Sequence, residues 1–208
     1  MSKSIALLPI ALLVWSASAS AQIITREPAD EAALIALHGF GRCIAQSNPR
    51  AARKVLALDF RTAEYRESFR RLARGHSRCL PPRSSLRTGQ VLVAGAVAEA
   101  LLKLQVKERE LVRRLAFEPS RPPLAARTEG EVMALCTVVQ APAQTAGLLS
   151  TGPGSREEAA ATQALEPKLR DCLAKGSNAR LNRPALRAVL ALAAWRVASI
   201  APAREASK

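Results

Sequence analysis

Apolar residues recur at helical spacing along nearly the whole chain. Val132, Leu135, Cys136 and Val139 mark one face of a helix opening at Thr128, with Glu131 three residues on as a capping box. Tyr65, Phe69, Leu72, His76 and Cys79 mark a second, opening at Thr62, and a third pattern opens at Ser155 with Glu158 three residues on. Asn48-Pro49 and Ala141-Pro142 each place proline at a first helical position. Another helix starts near Pro28, with Asp30 and Glu31 in its opening turn, where the helix dipole favours acids.

The most apolar patterns start near Thr88 and Pro184. The first is expected to run on to about Phe117, with Leu101, Leu104, Leu111 and Leu115 as its stripe. Glu99 with Lys103 and Glu110 with Arg114 are helix-stabilising pairs along it. Pro167 predicts a helix break near Glu166, and Gly75 lies one position from the equivalent point upstream. No window alternates strictly as a strand does; Val91 to Ala94 comes nearest and sits inside a helical pattern. The expected fold is all-α.

These elements occur twice. Cys43 and Cys79 are separated by 36 residues, as are Cys136 and Cys172, and the pairs stand 93 residues apart. At that offset Pro49 meets Pro142, Val55-Leu56 meets Leu148-Leu149, and Thr62 meets Ser155. Glu64 also meets Glu157, and Leu72 meets Leu165. Beyond the second cysteine a two-residue shift matches Leu86 with Leu181 and Val91 with Leu186. The chain thus reads as two tandem pseudo-repeated units of about four helices each. Residues 22–118 form unit one and 128–208 form unit two, joined by a stiff Pro-rich linker over 119–127. A period this long exceeds the roughly 20–50 residues of solenoid repeats. Each unit is therefore a small domain or half of one pseudo-symmetric domain.

Ahead of the repeats, Lys3 precedes an apolar run from Ile5 to Trp15 and small residues at Ala19 and Ala21. These are the three regions of a secretory signal over 1–21, cut after Ala21. The run is shorter than the roughly 20 residues a bilayer span needs. No twin arginine precedes it and no cysteine stands at the cut, which favours general secretion over the folded-protein route and over a lipid anchor. A periplasmic or secreted location is expected, with no membrane-spanning segment after cleavage. Glu99 and Lys103 interrupt one later apolar stretch, and Arg187 and Arg196 the other.

In an exported chain, four cysteines imply disulfides. Four cysteines allow three connectivities. Duplication of a unit duplicates its internal bridge, which favours Cys43–Cys79 with Cys136–Cys172. Neither spacing is Cys-x-x-Cys, so a redox motif or zinc ribbon is not indicated.

Composition adds charge. The 208 residues include 31 Lys+Arg against 17 Asp+Glu, a net charge of +14, of which signal cleavage removes only Lys3. With 49% hydrophobic residues the chain can bury a core. Only two histidines and seven aromatics leave little material for a His-based metal site or a base-stacking platform. From Arg61 to Arg87 there are eight arginines opposed only by Glu64 and Glu67. Arg66, Arg70 and Arg74 repeat every four residues along one helix face, and Arg71 and Arg78 flank them; the equivalents of the three are Ala159, Gln163 and Pro167. Such a stripe holds phosphates or carboxylates bidentately. The competing reading is a solvated face in an Arg-rich chain.

Catalytic signals are sparse. Nothing in the sequence pairs His38 or His76 with a nucleophile, and both read as structural. Thr151-Gly152-Pro153-Gly154-Ser155 precedes a helix as phosphate loops do, but lacks the Gly-Lys-Ser/Thr ending and reads as a turn with a cap. Glu157 and Glu158 are adjacent, point to different faces and do not form an acid–base pair.

Cys136, Pro142, Leu148, Leu149, Ser155, Glu157, Leu165, Cys172, Asn182, Arg183, Leu186 and Arg187 form a string that resembles a type of small exported bacterial protein. That type is Ala- and Arg-rich with duplicated Cys-x35-Cys helical units, and the resemblance covers most of the mature chain. It implies no activity, catalytic residue or cofactor. Unit one departs from it, with Arg87 and Thr88 in place of Asn182 and Arg183.

The expected function is a non-enzymatic, exported helical interaction or scaffold module with a basic face, requiring no cofactor. Its expected partner is an anionic envelope lipid or glycan, or another envelope protein; export makes nucleic acid a poor candidate. The alternatives are an envelope hydrolase with a site scattered in sequence, or an envelope stress factor that binds proteins through an apolar groove.

Overall fold

A computed structural model describes residues 30–80, 88–177 and 180–200, and the backbone of Ile24–Thr25. The expected signal segment, Pro28, Arg83, Leu86 and Arg87 lie outside the described residues. Among the described residues the chain forms nine α-helices and a single two-residue strand pair. Unit one contains α1 (Glu31–Ser47), α2 (Pro49–Ala57), α3 (Ala63–Gly75), a 3-10 turn (Ser77–Cys79), α4 (Gln90–Gln105) and α5 (Glu108–Leu115). Unit two contains α6 (Glu129–Gln140), α7 (Pro142–Ser150), α8 (Arg156–Asp171) and α9 (Arg183–Ser199). The fold is all-α. Two short extended pieces, β1 (Ile24–Thr25) and β2 (Leu181–Asn182), pair in parallel beside the start of α9.

The helix starts follow local chemistry. Thr128 Oγ1 accepts from Glu131 N at 3.2 Å, Ser155 Oγ from Glu158 N at 3.1 Å, and Thr62 Oγ1 from Tyr65 N at 3.1 Å. Both capping glutamates reach back to the residue before the cap, Glu131 to Arg127 N and Glu158 to Gly154 N. Asn48 caps α2 ahead of Pro49, and Asn182 caps α9 ahead of Pro184. The first helix starts later than the sequence suggests. Asp30 is its cap, bonded to Ala32 N and Ala33 N, so only Glu31 lies in the opening turn.

Three expectations are corrected. The helix from Gln90 does not run on to Phe117; it stops at Gln105, with Val106 extended. Leu104 is left half exposed, and α5 sets off in a new direction that buries Leu111 and Leu115. Packing of α5 against α7 and α9 outweighs helix continuity there. Pro167 does not end its helix, because α8 continues to Asp171. Proline removes the hydrogen bond to the carbonyl of Gln163, and both residues face solvent, where water replaces that bond. Unit one does break, at Gly75, into the 3-10 turn. Finally, the two-residue shift after the second cysteine is absent: α4 and α9 begin exactly 93 residues apart. Rows of Leu, Val and Ala offer apolar matches at several shifts, whereas helix packing selects one.

Each unit carries its own staple. Cys43 of α1 is bonded to Cys79, and Cys136 of α6 to Cys172 at the end of α8, with Cα separations of 5.8 and 5.6 Å. Such bridges are compatible with an oxidising, exported location. The units share one core, because α4 packs on both α1 and α9, and α9 packs on both α4 and α6. Small residues permit these approaches. A Cβ on Gly41 would lie 2.6 Å from the carbonyl carbon of Ala96. Among the described residues no single helix is long and apolar enough to cross a membrane. The pair α6–α7 has the length and composition only jointly, turns by 102°, and buries Met133, Val138 and Leu148 in the core.

Candidate functional site

The most polar feature of the interior lies where unit one meets unit two. Arg187 of α9 is 2% exposed. Its Nε donates to Glu99 Oε2 and its Nη2 to Glu99 Oε1, both at 2.8 Å, a bidentate pair from α9 to α4. Its Nη1 donates to Glu158 Oε1 at 3.0 Å and to Thr151 Oγ1 at 3.1 Å. Nη2 reaches the carbonyl of Thr151 at 2.9 Å, with the carbonyl of Leu149 at 3.3 Å. All five guanidinium N–H groups are thus engaged, as burial of the charge requires.

Glu99 is the hub. Lys103 Nζ donates to it at 2.7 Å, and His38 Nδ1 stands 3.6 Å from Oε2. Burial alone would raise the Glu99 carboxyl pKa, but the hydrogen bonds and charge of Arg187 outweigh it and hold the carboxyl below its ordinary value. His38 shifts the other way to its neighbour's pull: burial lowers its pKa, with the charge of Glu99 only partly compensating. A histidine beside a carboxylate is what an enzymatic reading requires. The small cleft there is lined by Arg42, Gln46, Lys103, Leu104 and Pro153 among others, and its lining contains no serine, threonine or cysteine. His76 is buried, and its Nδ1 donates to the carbonyl of Leu72 at 2.7 Å, since a carbonyl can only accept.

The Thr151–Ser155 loop is tied into the same node. Thr151 presents both its hydroxyl and its carbonyl to Arg187. Gly154 has φ +83°, which favours glycine, and a Cβ there would come 3.0 Å from Glu31 Cγ, so any larger residue would also push that side chain aside.

The five candidate arginines divide between two grooves. Arg66, Arg70 and Arg74 form one wall of a groove of about 470 Å³ whose floor is Phe40, Phe69 and Val93. Arg71 and Arg78 instead line a separate groove with Glu64 and His76. All five are exposed. Arg66 Nη1 donates to the carbonyl of Arg61 at 2.8 Å, and Arg70 pairs with Glu67 at 3.2 Å. Arg71, Arg74 and Arg78 have no acidic partner among the described residues. No group of His, Cys, Asp and Glu among the described residues is placed to hold a metal ion.

Sequence reasoning missed the Arg187 node. Its partners lie 88 and 29 residues away. The available signal was a lone acid in the apolar stretch around Glu99 and an arginine inside the apolar stretch that opens at Pro184.

Fold and site together define a disulfide-stapled, all-α protein whose two similar units share one core. Comparison with known proteins finds no matching family, no matching curated protein and no matching solved structure.

Proposed function

We propose that the protein is a non-enzymatic, exported, periplasmic or secreted binding module whose Arg66–Arg70–Arg74 groove takes an anionic lipid. The observation that carries this reading is the pairing of three guanidinium groups with an apolar floor of Phe40, Phe69 and Val93 in one groove. Guanidinium forks match phosphate oxygens, and the apolar floor matches acyl chain rather than glycan. The net charge of +14 steers the chain toward such surfaces. The signal segment and the two staples support export.

The test is co-sedimentation of the oxidised mature protein with vesicles of phosphatidylglycerol and, separately, of phosphatidylcholine. Binding is expected to the anionic vesicles alone and to fall with salt. A basic side chain near an anionic surface contributes roughly 1 kcal/mol. Replacing Arg66, Arg70 and Arg74 together by Gln is therefore expected to weaken binding about a hundredfold. Unchanged binding by that variant would remove the reading, and binding to lipid-free phosphoglycan alone would move the partner from lipid to glycan.

A further inference from the structure

The 93-residue offset relates two hollows of the molecule. The first is the cleft lined by His38, Ala96, Glu99, Ala100 and Lys103 of unit one, with Pro153 contributed by unit two. The second is lined by Glu131, Val189, Leu192, Ala193 and Arg196 of unit two, with Phe60 contributed by unit one. These six residues of the second stand 93 positions from the six named in the first. The two are equivalent places in a pseudo-twofold frame.

Their contents differ. Behind the first hollow lies Arg187, bonded to Glu99, Leu149, Thr151 and Glu158. The counterparts of those four partners are Leu192, Leu56, Leu58 and Tyr65, and all four line the second hollow. The counterpart of Arg187 is Ala94. A buried arginine with its carboxylates thus plugs one side, while an alanine among leucines leaves the other open. The first hollow measures about 180 Å³ and the second about 320 Å³.

We propose that this open cavity is a binding site for a medium-chain carboxylate amphiphile. The walls of Leu56, Leu58, Tyr65 and Leu192 suit an acyl chain, and at roughly 30 Å³ per water-sized group the volume holds about ten such groups. The mouth selects the head group. Arg127 lies over the Phe60 ring at 5.8 Å and pairs with Asp59 and Glu131, and Arg196 also pairs with Glu131. Arg61 is bonded to Asp59 as well. Arg61 answers Asp59 away from the lining, so on the lining itself Arg127 and Arg196 face the single carboxylate of Glu131, which leaves one positive charge for a monoanion. Gln90 Nε2, on the cavity lining, is buried with no hydrogen-bond partner and offers a donor.

The experiment is calorimetric titration of the oxidised mature protein with decanoate, below its micellar range, beside decanol and decyltrimethylammonium. Decanoate is expected to fill this cavity one to one, apart from any event at the Arg66–Arg70–Arg74 groove, and the two other amphiphiles are expected to enter it at least tenfold more weakly. Gly130 lies on the cavity lining, and a Cβ there meets nothing within 4 Å, so Gly130→Phe adds a bulky ring at the lining without a backbone clash. That variant, and Val91→Trp at the half-exposed rim, are each expected to lower decanoate affinity at least tenfold with unchanged helical circular dichroism. In the Arg66/Arg70/Arg74→Gln protein the one-to-one cavity event is expected to persist while any event at the lipid-binding groove is lost, which separates the two sites. Absence of decanoate binding, equal binding of decanol or of the cationic amphiphile, full affinity in Gly130→Phe, or loss of the one-to-one event in the triple-Gln protein would each overturn the proposal.

Discussion

Gly95 of α4 meets Ala188 of α9 so closely that a Cβ on the glycine would stand 2.4 Å from the Cα of Ala188. The two positions are 93 residues apart, the same offset that relates Cys43 to Cys136. In a twofold arrangement only positions on the axis touch their own copies. The contact therefore marks the pseudo-twofold axis of the duplicated fold and a close crossing of the two units.

Gly95→Val is expected to destabilise the protein by at least the roughly 1–3 kcal/mol typical of overpacking, because the obstructing atoms are backbone. Gly147→Ala, in a helix where a Cβ meets nothing within 4 Å, is expected to be neutral or stabilising by up to about 1 kcal/mol. Urea denaturation of both variants beside the parent checks the contrast, and equal stability of Gly95→Val would remove the close crossing.

Removing one member of the buried node is expected to cost far more than removing all of it. Arg187→Met leaves Glu158 buried without a cation and Glu99 with Lys103 alone, a loss of roughly 3–5 kcal/mol. Adding Glu99→Leu and Glu158→Leu to the same protein is expected to restore most of that loss. Denaturant midpoints for the single and triple variants measure the difference, and a triple variant weaker than the single one would contradict it.

His38 makes stability depend on pH. Burial lowers its pKa from the ordinary 6.5, so the folded protein resists protonation at this ring while the unfolded chain accepts a proton. Its contribution is complete above pH 6.5 and is lost as pH falls below that value. Melting temperatures followed from pH 7.5 to 5 are expected to decline, and His38→Gln is expected to flatten that decline. Parallel curves for the two proteins would exclude His38 as the source.

Each staple closes a separation of 36 residues. On the chain-entropy account such a closure contributes about 4 kcal/mol. Cys136→Ala with Cys172→Ala is expected to lose about that much, and non-reduced peptide mapping of the parent is expected to return Cys43–Cys79 and Cys136–Cys172 peptides only. A Cys43–Cys136 peptide would contradict the fold.

Local signals carried well from sequence to structure. Thr62, Thr128, Ser155 and Asn48 cap the helices that their spacing indicates, since each cap bonds within three residues of itself. The offset of 93 also exposed the bridge pairing. Features set by contacts distant in sequence were less legible. The break at Val106 depends on where Leu111 and Leu115 pack, and the Arg187–Glu99 pair depends on the α4–α9 crossing. Of the arginine stripe, the periodicity of Arg66, Arg70 and Arg74 placed those three together, while the apolar floor beneath them includes Phe40 and Val93 from two other helices.

The order of the cysteines bears on how the chain matures. Cys43 bonds to Cys79 and Cys136 to Cys172, so the two loops follow one another and do not interleave. A chain that reaches an oxidising compartment N-terminus first can complete the first loop before either thiol of the second arrives. At that stage the correct partner is the only other cysteine on hand, and the same holds for the second pair once the first is closed. Sequential pairing thus makes correct oxidation a matter of timing, with little work left for thiol reshuffling.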